Sequence, residues 1–136
     1  MIQSETTLEL RVARRVVQEM YAVKPGEIVA ITADKATPPA QVEAYFQACI
    51  EVGADPVVIS FKTARDSCQA GMPDWPARAL IPALIAADVW LETNTASMLY
   101  SDIWEAAMAG NPRLRYNCLG GILLASIERM FCGYDI

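Results

Sequence analysis

Residues 27–61 read EIVAITADKATPPAQVEAYFQACIEVGADPVVISF, and this stretch decides the fold. Glu27 to Thr32 is a short β-branched run, nearly apolar throughout, which suits a strand covered on both faces. A polar loop follows, Ala33 to Ala36. Thr37 then reads as an N-cap and Pro38 as the first residue of a helix, because proline lacks an amide that the first turn does not need. Val42, Phe46, Cys49 and Ile50 recur at helical spacing as its apolar face. Gly53 fits the residue just past the helix end, where a left-handed turn favours glycine. Pro56 to Phe61 repeats the buried-strand pattern. Two such strands joined through a helix form a parallel β-α-β unit.

The same alternation extends in both directions. Upstream, Val12, Ala13, Val16, Val17, Met20 and Tyr21 predict a helix over Thr7 to Ala22. Thr6 and Glu9 read as its capping box, and Val23-Lys24-Pro25-Gly26 as its end. Downstream, a loop from Lys62 to Asp74 leads to a helix over Trp75 to Ala87, capped by Asp74. Pro76 falls in its first turn, and Pro82 should bend or split it. Asp88 to Thr93 is the third strand and Asn94 to Tyr100 a loop. Ser101 or Asp102 starts the next helix, which ends at Gly110-Asn111-Pro112. Arg113 to Leu119 is the fourth strand, and Gly120-Gly121 turns it into an apolar segment, Ile122 to Phe131. The order α-β-α-β-α-β-α-β-α predicts an α/β fold of three layers. Its mostly parallel, Rossmann-like or flavodoxin-like sheet has about four strands, with helices on both faces. Residues 1–136 read as one domain, and the stop straight after an apolar segment suggests part of a longer enzyme.

Composition narrows function. The chain has no histidine, which removes the commonest general base and the commonest metal ligand. With 11 Lys+Arg against 16 Asp+Glu the net charge is −5, so nucleic acid is not an expected partner. Arg11, Arg14 and Arg15 share one turn of the first helix and read as helical surface charge. Four cysteines, Cys49, Cys68, Cys118 and Cys132, form no CxxC clip, so neither zinc nor an iron–sulfur cluster is expected. Cys49 and Cys118 read as buried, inert thiols. The longest apolar stretch, Ala79 to Ala87, is too short to span a bilayer and contains Pro82, so no membrane partner and a cytoplasmic address are expected. A hydrophobic content of 54% predicts that a partner covers some surface.

In open parallel sheets the ligand crevice lies beyond the carboxyl ends of the strands. The candidates there are Asp34 after the first strand, and Thr93, Asn94, Thr95 and Ser97 after the third. Turn and capping chemistry is the competing explanation for all five. No GxGxxG, GxxxxGK[ST] or GxSxG motif occurs, so a dinucleotide cofactor and a serine nucleophile elbow are not expected. Glu92 reads as pointing outward at the strand end, with a buried acid–base carboxylate as the alternative. Trp75, Trp90 and Trp104 read as packing between sheet and helices. No catalytic, cofactor-binding or metal-ligating residue is assigned within the chain.

Val23-Lys24-Pro25-Gly26-Glu27 ahead of the first strand resembles the VKPGD entry of the aminopeptidase T, or thermophilic metalloprotease, family of leucyl-aminopeptidase-like enzymes. Cys49 to Ala54 running into Pro56-Val57-Val58, and Ala86-Ala87-Asp88-Val89 before the third strand, are similar to that family's corresponding segments. The same front domain is similar to that of the iron-dependent dihydroxypyridine ring-opening dioxygenases. The resemblance covers about residues 5 to 120. It implies an N-terminal domain that contributes cavity wall and dimer contacts. The divalent metal and its Glu, His, Asp and Tyr ligands would lie in a downstream domain. It further implies that this chain alone is inactive, that it pairs with its own C-terminal domain or with further copies, and that a peptide or small-molecule substrate binds only with the second domain. The expectation from another class is a stand-alone binding or assembly module, with Leu123, Leu124, Ile127, Met130 and Phe131 offering an apolar arc.

Overall fold

The computed structural model describes residues 7–119. Four strands, β1 (Ile28–Asp34), β2 (Asp55–Phe61), β3 (Val89–Glu92) and β4 (Arg115–Cys118), form one parallel sheet in the order β2-β1-β3-β4. Helices α1 (Leu8–Arg14), α2 (Pro39–Glu51), α3 (Ala77–Ile85) and α4 (Asp102–Gly110) flank it. The α/β architecture with a parallel sheet is the one the alternation predicts.

The pleat sorts the core into two halves, because successive side chains leave a strand on opposite faces. Val29 and Ile31 of β1 and Val89 and Leu91 of β3 pack against α1 and α2 through Val12, Tyr45 and Ala48. Ala30 and Trp90 project to the other face, where they meet Leu80 and Leu84 of α3 and Ile103 and Ala107 of α4. Trp75 and Trp104 join this second layer, so all three tryptophans pack between sheet and helices.

Several boundaries differ from the sequence reading, each for a local reason. The cap of α1 is Thr7, whose hydroxyl accepts from the Leu10 amide at 3.2 Å; Thr6 lies outside the described residues. The helix then widens into a π-helical stretch, Arg15–Met20. It ends before the Lys24-Pro25-Gly26 turn, with Ala22 at φ 44. Thr37 is not the cap of α2: Pro38 takes that position and Pro39 opens the helix, because the Thr37 hydroxyl is engaged elsewhere. The buried face of α2 is Gln41, Ala44, Tyr45, Ala48 and Cys49, rotated from the expected stripe, and Phe46 and Ile50 are exposed. Gly53, at φ 80, turns the chain after α2 as expected.

β2 is not covered on both faces. Among the described residues it is an edge strand paired only with β1, and Val57 and Val58 are exposed. The Asp55 amide donates to the Glu27 carbonyl, so Pro56 falls at an outward-directed position where its missing N–H costs no ladder bond. The third helix starts at Ala77, after a 3₁₀ segment, Cys68–Asp74. Asp74 does not cap it but accepts from the Arg65 backbone and guanidinium. Pro82 lies inside α3 without splitting it. Ser101 caps α4 through a bond from the Trp104 amide. The expected turn at Gly120-Gly121 and the segment Ile122 to Phe131 lie outside the described residues. Among those described, no helix is long and apolar enough to cross a membrane.

Candidate functional site at the strand ends

Strand order reverses direction at β1 and β3. From β1 the chain crosses to β2 by way of α2 on one face, and from β3 it crosses to β4 by way of α4 on the other. The loops after these two neighbouring strands lead to opposite faces, the point at which open parallel sheets carry their ligand crevice; here hydrogen bonds join the two loops across it. The five sequence candidates fall on these two loops. The structure brings all five into one hydrogen-bond network, of which each polar atom is held by another member.

Asp34 ends β1 and is 4% exposed. Its Oδ1 accepts from the Ala36 amide at 2.9 Å and the Thr37 amide at 3.1 Å, which folds the β1 loop over the carboxylate. Its Oδ2 accepts from the Thr95 amide at 2.7 Å and the Thr95 hydroxyl at 2.8 Å, which ties that loop to the β3 loop. The Thr37 hydroxyl adds a second tie, donating to the Thr93 carbonyl at 2.9 Å. The Thr93 hydroxyl donates back to the Thr32 carbonyl at 2.6 Å.

A second carboxylate lies deeper. Glu92 is fully buried, which corrects the outward orientation read from sequence. Its Oε1 accepts from the Ser97 hydroxyl at 2.9 Å and the Tyr116 hydroxyl at 2.8 Å. Its Oε2 accepts from the Met98 amide at 2.8 Å and the Asn94 side-chain amide at 3.2 Å. Four donors converge on two oxygens, an arrangement that fits an ionised carboxylate. Upstream of it the donors run in one direction: the Trp90 indole N–H to Thr32 Oγ1 at 2.9 Å, and the Thr32 hydroxyl to Asn94 Oδ1 at 2.6 Å. Asn94 Nδ2 then donates to Glu92 and to the Ala96 carbonyl.

The network fixes its titratable neighbours. Burial first, and the Glu92 charge second, push the Tyr116 phenol well above its ordinary range. Burial likewise raises the Cys118 thiol, with Glu92 adding to it; Cys118 Sγ lies 3.4 Å from Ser97 Oγ. Cys118 is half-buried rather than sealed like Cys49, and burial with the Glu92 charge outweighs the Ser97 and Tyr116 hydroxyls that favour a thiolate.

Sequence reasoning missed Thr32 and Tyr116 as members, and held the burial of Glu92 only as the alternative to an outward orientation. A signal was present: Thr32 pairs with Glu92, and Glu92 with Cys118, so strand after strand turns polar at the same level of the sheet. Pairing register supplies that level, and a lone sequence does not show it. The loop after β1 is where nucleotide-binding domains hold phosphate. Asp34 occupies it, and Pro38 and Pro39 remove two amides from the start of α2. Among the described residues no three His, Cys, Asp or Glu side chains are grouped to hold a metal ion.

No protein-family model matches the sequence, and no curated protein does. Among solved structures, the chain is similar to 2,5-dihydroxypyridine dioxygenase from Pseudomonas putida KT2440, with a TM-score of 0.63 and 18% identity. That match covers 85% of this chain and 35% of the dioxygenase. A match to the CurK enoyl reductase has a TM-score of 0.48 and 13% identity, covering 90% of this chain and 44% of that one. The chain thus spans less than half the length of either, and the likeness is one of fold.

Proposed function

We propose that this chain is a single α/β domain that serves as the wall-forming front domain of a larger metal-dependent enzyme, of the ring-opening dioxygenase or aminopeptidase T type. The observation that carries the proposal is the match of 85% of the chain to 35% of a dioxygenase, one module of a protein that is much longer. The strand-end network fits such a role. Asp34, Thr37, Thr93 and Thr95 are linked by hydrogen bonds across the floor between β1 and β3, Asn94 is held by Thr32 and Glu92, and in this reading half-buried Thr95 and Ser97 face the substrate. A preorganised wall raises the precision of a site whose reacting groups sit on another element. In this reading the divalent metal, its ligands and the general base belong to a second domain, and no chemical step is assigned to this chain.

Within that reading the dioxygenase arm is the better supported, since a similar structure is a dioxygenase; aminopeptidase activity rests on the sequence resemblance alone. The test begins with the intact mass of the native product. A longer product would then be assayed with iron for oxygen uptake on a dihydroxypyridine, and with divalent metals for release of an N-terminal amino acid from peptides. A native product ending at Ile136, or a longer one without a metal site, would overturn the proposal.

A second reading, an assembly module of copies of this chain, is favoured by exposed Phe46 and Ile50 on α2 and exposed Val57 and Val58 on β2. A monomer at high concentration on a sizing column would remove it.

A further inference from the structure

Four aromatic rings run in contact from the surface to the core. Tyr100 is 66% exposed, in the loop before α4. Its ring meets Trp104 edge-on at 5.2 Å between centroids. Trp104 lies 6.4 Å from Tyr116, and Tyr116 lies 4.5 Å from fully buried Trp90. The hydrogen bonding of these rings differs in a way that matters for oxidation. Trp104 Nε1 is buried with no hydrogen-bond partner, so an oxidised Trp104 has no base for its proton. The Tyr116 hydroxyl, by contrast, donates to the Glu92 carboxylate at 2.8 Å.

We propose that Tyr116 and Glu92 form a radical-storing pair, fed from the surface through Tyr100 and Trp104. The trigger is a one-electron oxidant, of the outer-sphere or high-valent-metal class, acting at Tyr100. Tyr100 gives it an electron and releases its phenolic proton to water. Trp104 returns an electron to Tyr100, which recovers a proton from water. Tyr116 then returns an electron to Trp104, and its phenolic proton passes to Glu92 Oε1. The net change is one electron from Tyr116 to the oxidant and one proton from Tyr116 to Glu92.

The electrostatics favour this end point. Loss of a proton from Tyr116 alone would place a phenolate beside a buried carboxylate, and like charges in a low-dielectric site repel strongly. Loss of an electron with proton transfer leaves a neutral tyrosyl and a neutral carboxylic acid. It discharges a buried anion for which none of the ion pairs among the described residues supplies a cation. Trp104, without a proton acceptor, passes the hole on; Tyr116, with one, keeps it. The inference does not depend on the parent enzyme.

The test is flash photolysis of the full chain with tris(bipyridine)ruthenium and a sacrificial electron acceptor, followed by freeze-quench electron paramagnetic resonance. The expected result is a neutral tyrosyl signal on Tyr116 that in Tyr116→Phe is replaced by one on exposed Tyr100. In Trp104→Phe, which forfeits no hydrogen bond, the oxidation should stop at Tyr100. Transfer into Tyr116 should slow in deuterated water, a reading that needs no variant and so survives if Tyr116→Phe fails to fold. A tyrosyl signal that persists in folded Tyr116→Phe, on Tyr21 or Tyr45, would overturn the proposal. So would an unchanged rate in Trp104→Phe, or the absence of a solvent isotope effect.

Discussion

Replacing Asp34 by alanine separates a structural role from a ligand-facing one. The carboxylate accepts four N–H and O–H bonds, from Ala36, Thr37 and Thr95, but its removal strands them unequally. Ala36 is exposed, so its amide can turn to water. The Thr37 amide keeps a second acceptor, the Asp34 carbonyl at 3.2 Å. The Thr95 amide and hydroxyl, at 2.7 and 2.8 Å from Oδ2, lose a charged acceptor in a half-buried loop. Two charge-assisted bonds at about 1.5 kcal/mol each put the cost at about 3 kcal/mol. At a urea dependence of about 1.5 kcal/mol/M for a domain this size, the midpoint should fall by about 2 M. Asp34→Asn should cost nearly as much. One carboxylate oxygen faces Ala36 and Thr37 N–H and the other faces Thr95 N–H, so either amide orientation sets donor against donor. The assay is urea unfolding followed by tryptophan fluorescence. A shift below about 0.5 M in Asp34→Ala would refute the reasoning, since the two stranded bonds would then be worth far less than charged bonds are.

A Cβ at Gly71 would stand 2.3 Å from Trp75 Cη2 and 2.6 Å from the Asp66 carbonyl oxygen. Gly71→Ala should therefore destabilise by about 2–3 kcal/mol through overpacking and change the near-ultraviolet dichroism of Trp75; an unchanged melting temperature would contradict the packing. Acid stability follows three carboxyls held below their ordinary range. Burial pushes Glu27 up, but its bonds with Arg115 and the Lys24 amide outweigh that, while Arg14 lowers Glu51, and the Arg65 backbone and guanidinium lower Asp74. Folded values below unfolded ones mean that this stability is present above the ordinary carboxyl range and lost as pH falls through it. The urea midpoint should hold from pH 7 to about 5 and fall below about 4. Glu27→Gln should flatten that fall, and identical slopes in the two proteins would sink the assignment. Cys49, whose thiol burial pushes up to about 12, should resist a disulfide reagent until the chain unfolds, whereas half-buried Cys68 should label in the native state. Peptide mapping of the labelled sites decides it, and native labelling of Cys49 would count against the packing of α2.

The apolar runs 28–32, 57–59 and 89–91, separated by helical periods and turn residues, were enough to determine a parallel α/β sheet, because helices must cross over between parallel strands. The same residues could not say which strand lies at an edge. Val57 and Val58 have the composition of Val29 and Ile31, yet β2 is half-exposed because it has one neighbour and β1 has two. Local signals also mislead where tertiary bonds compete for the same atom. The Thr37 hydroxyl left its helix for the Thr93 carbonyl, and α2 turned its buried face to Gln41 and Tyr45.

The candidate residues at positions 34, 93, 94, 95 and 97 were legible because strand ends mark the crevice of any parallel sheet. Their convergence was not. Asp34 and Thr95 are 61 residues apart, and Thr32 and Asn94 are 62. Only the β1–β3 register, Thr32 opposite Glu92, brings them to one level. Glu92 shows the limit most clearly. Its sequence neighbours offer no reason to bury a charge, and its four donors come from three separate places in the chain: its own loop at Asn94, the turn at Ser97 and Met98, and Tyr116 on the next strand. Sequence periodicity determined the elements, because it reflects which faces meet apolar neighbours. The sheet's order and register decided the network, because hydrogen bonds are made between atoms that only folding brings within reach.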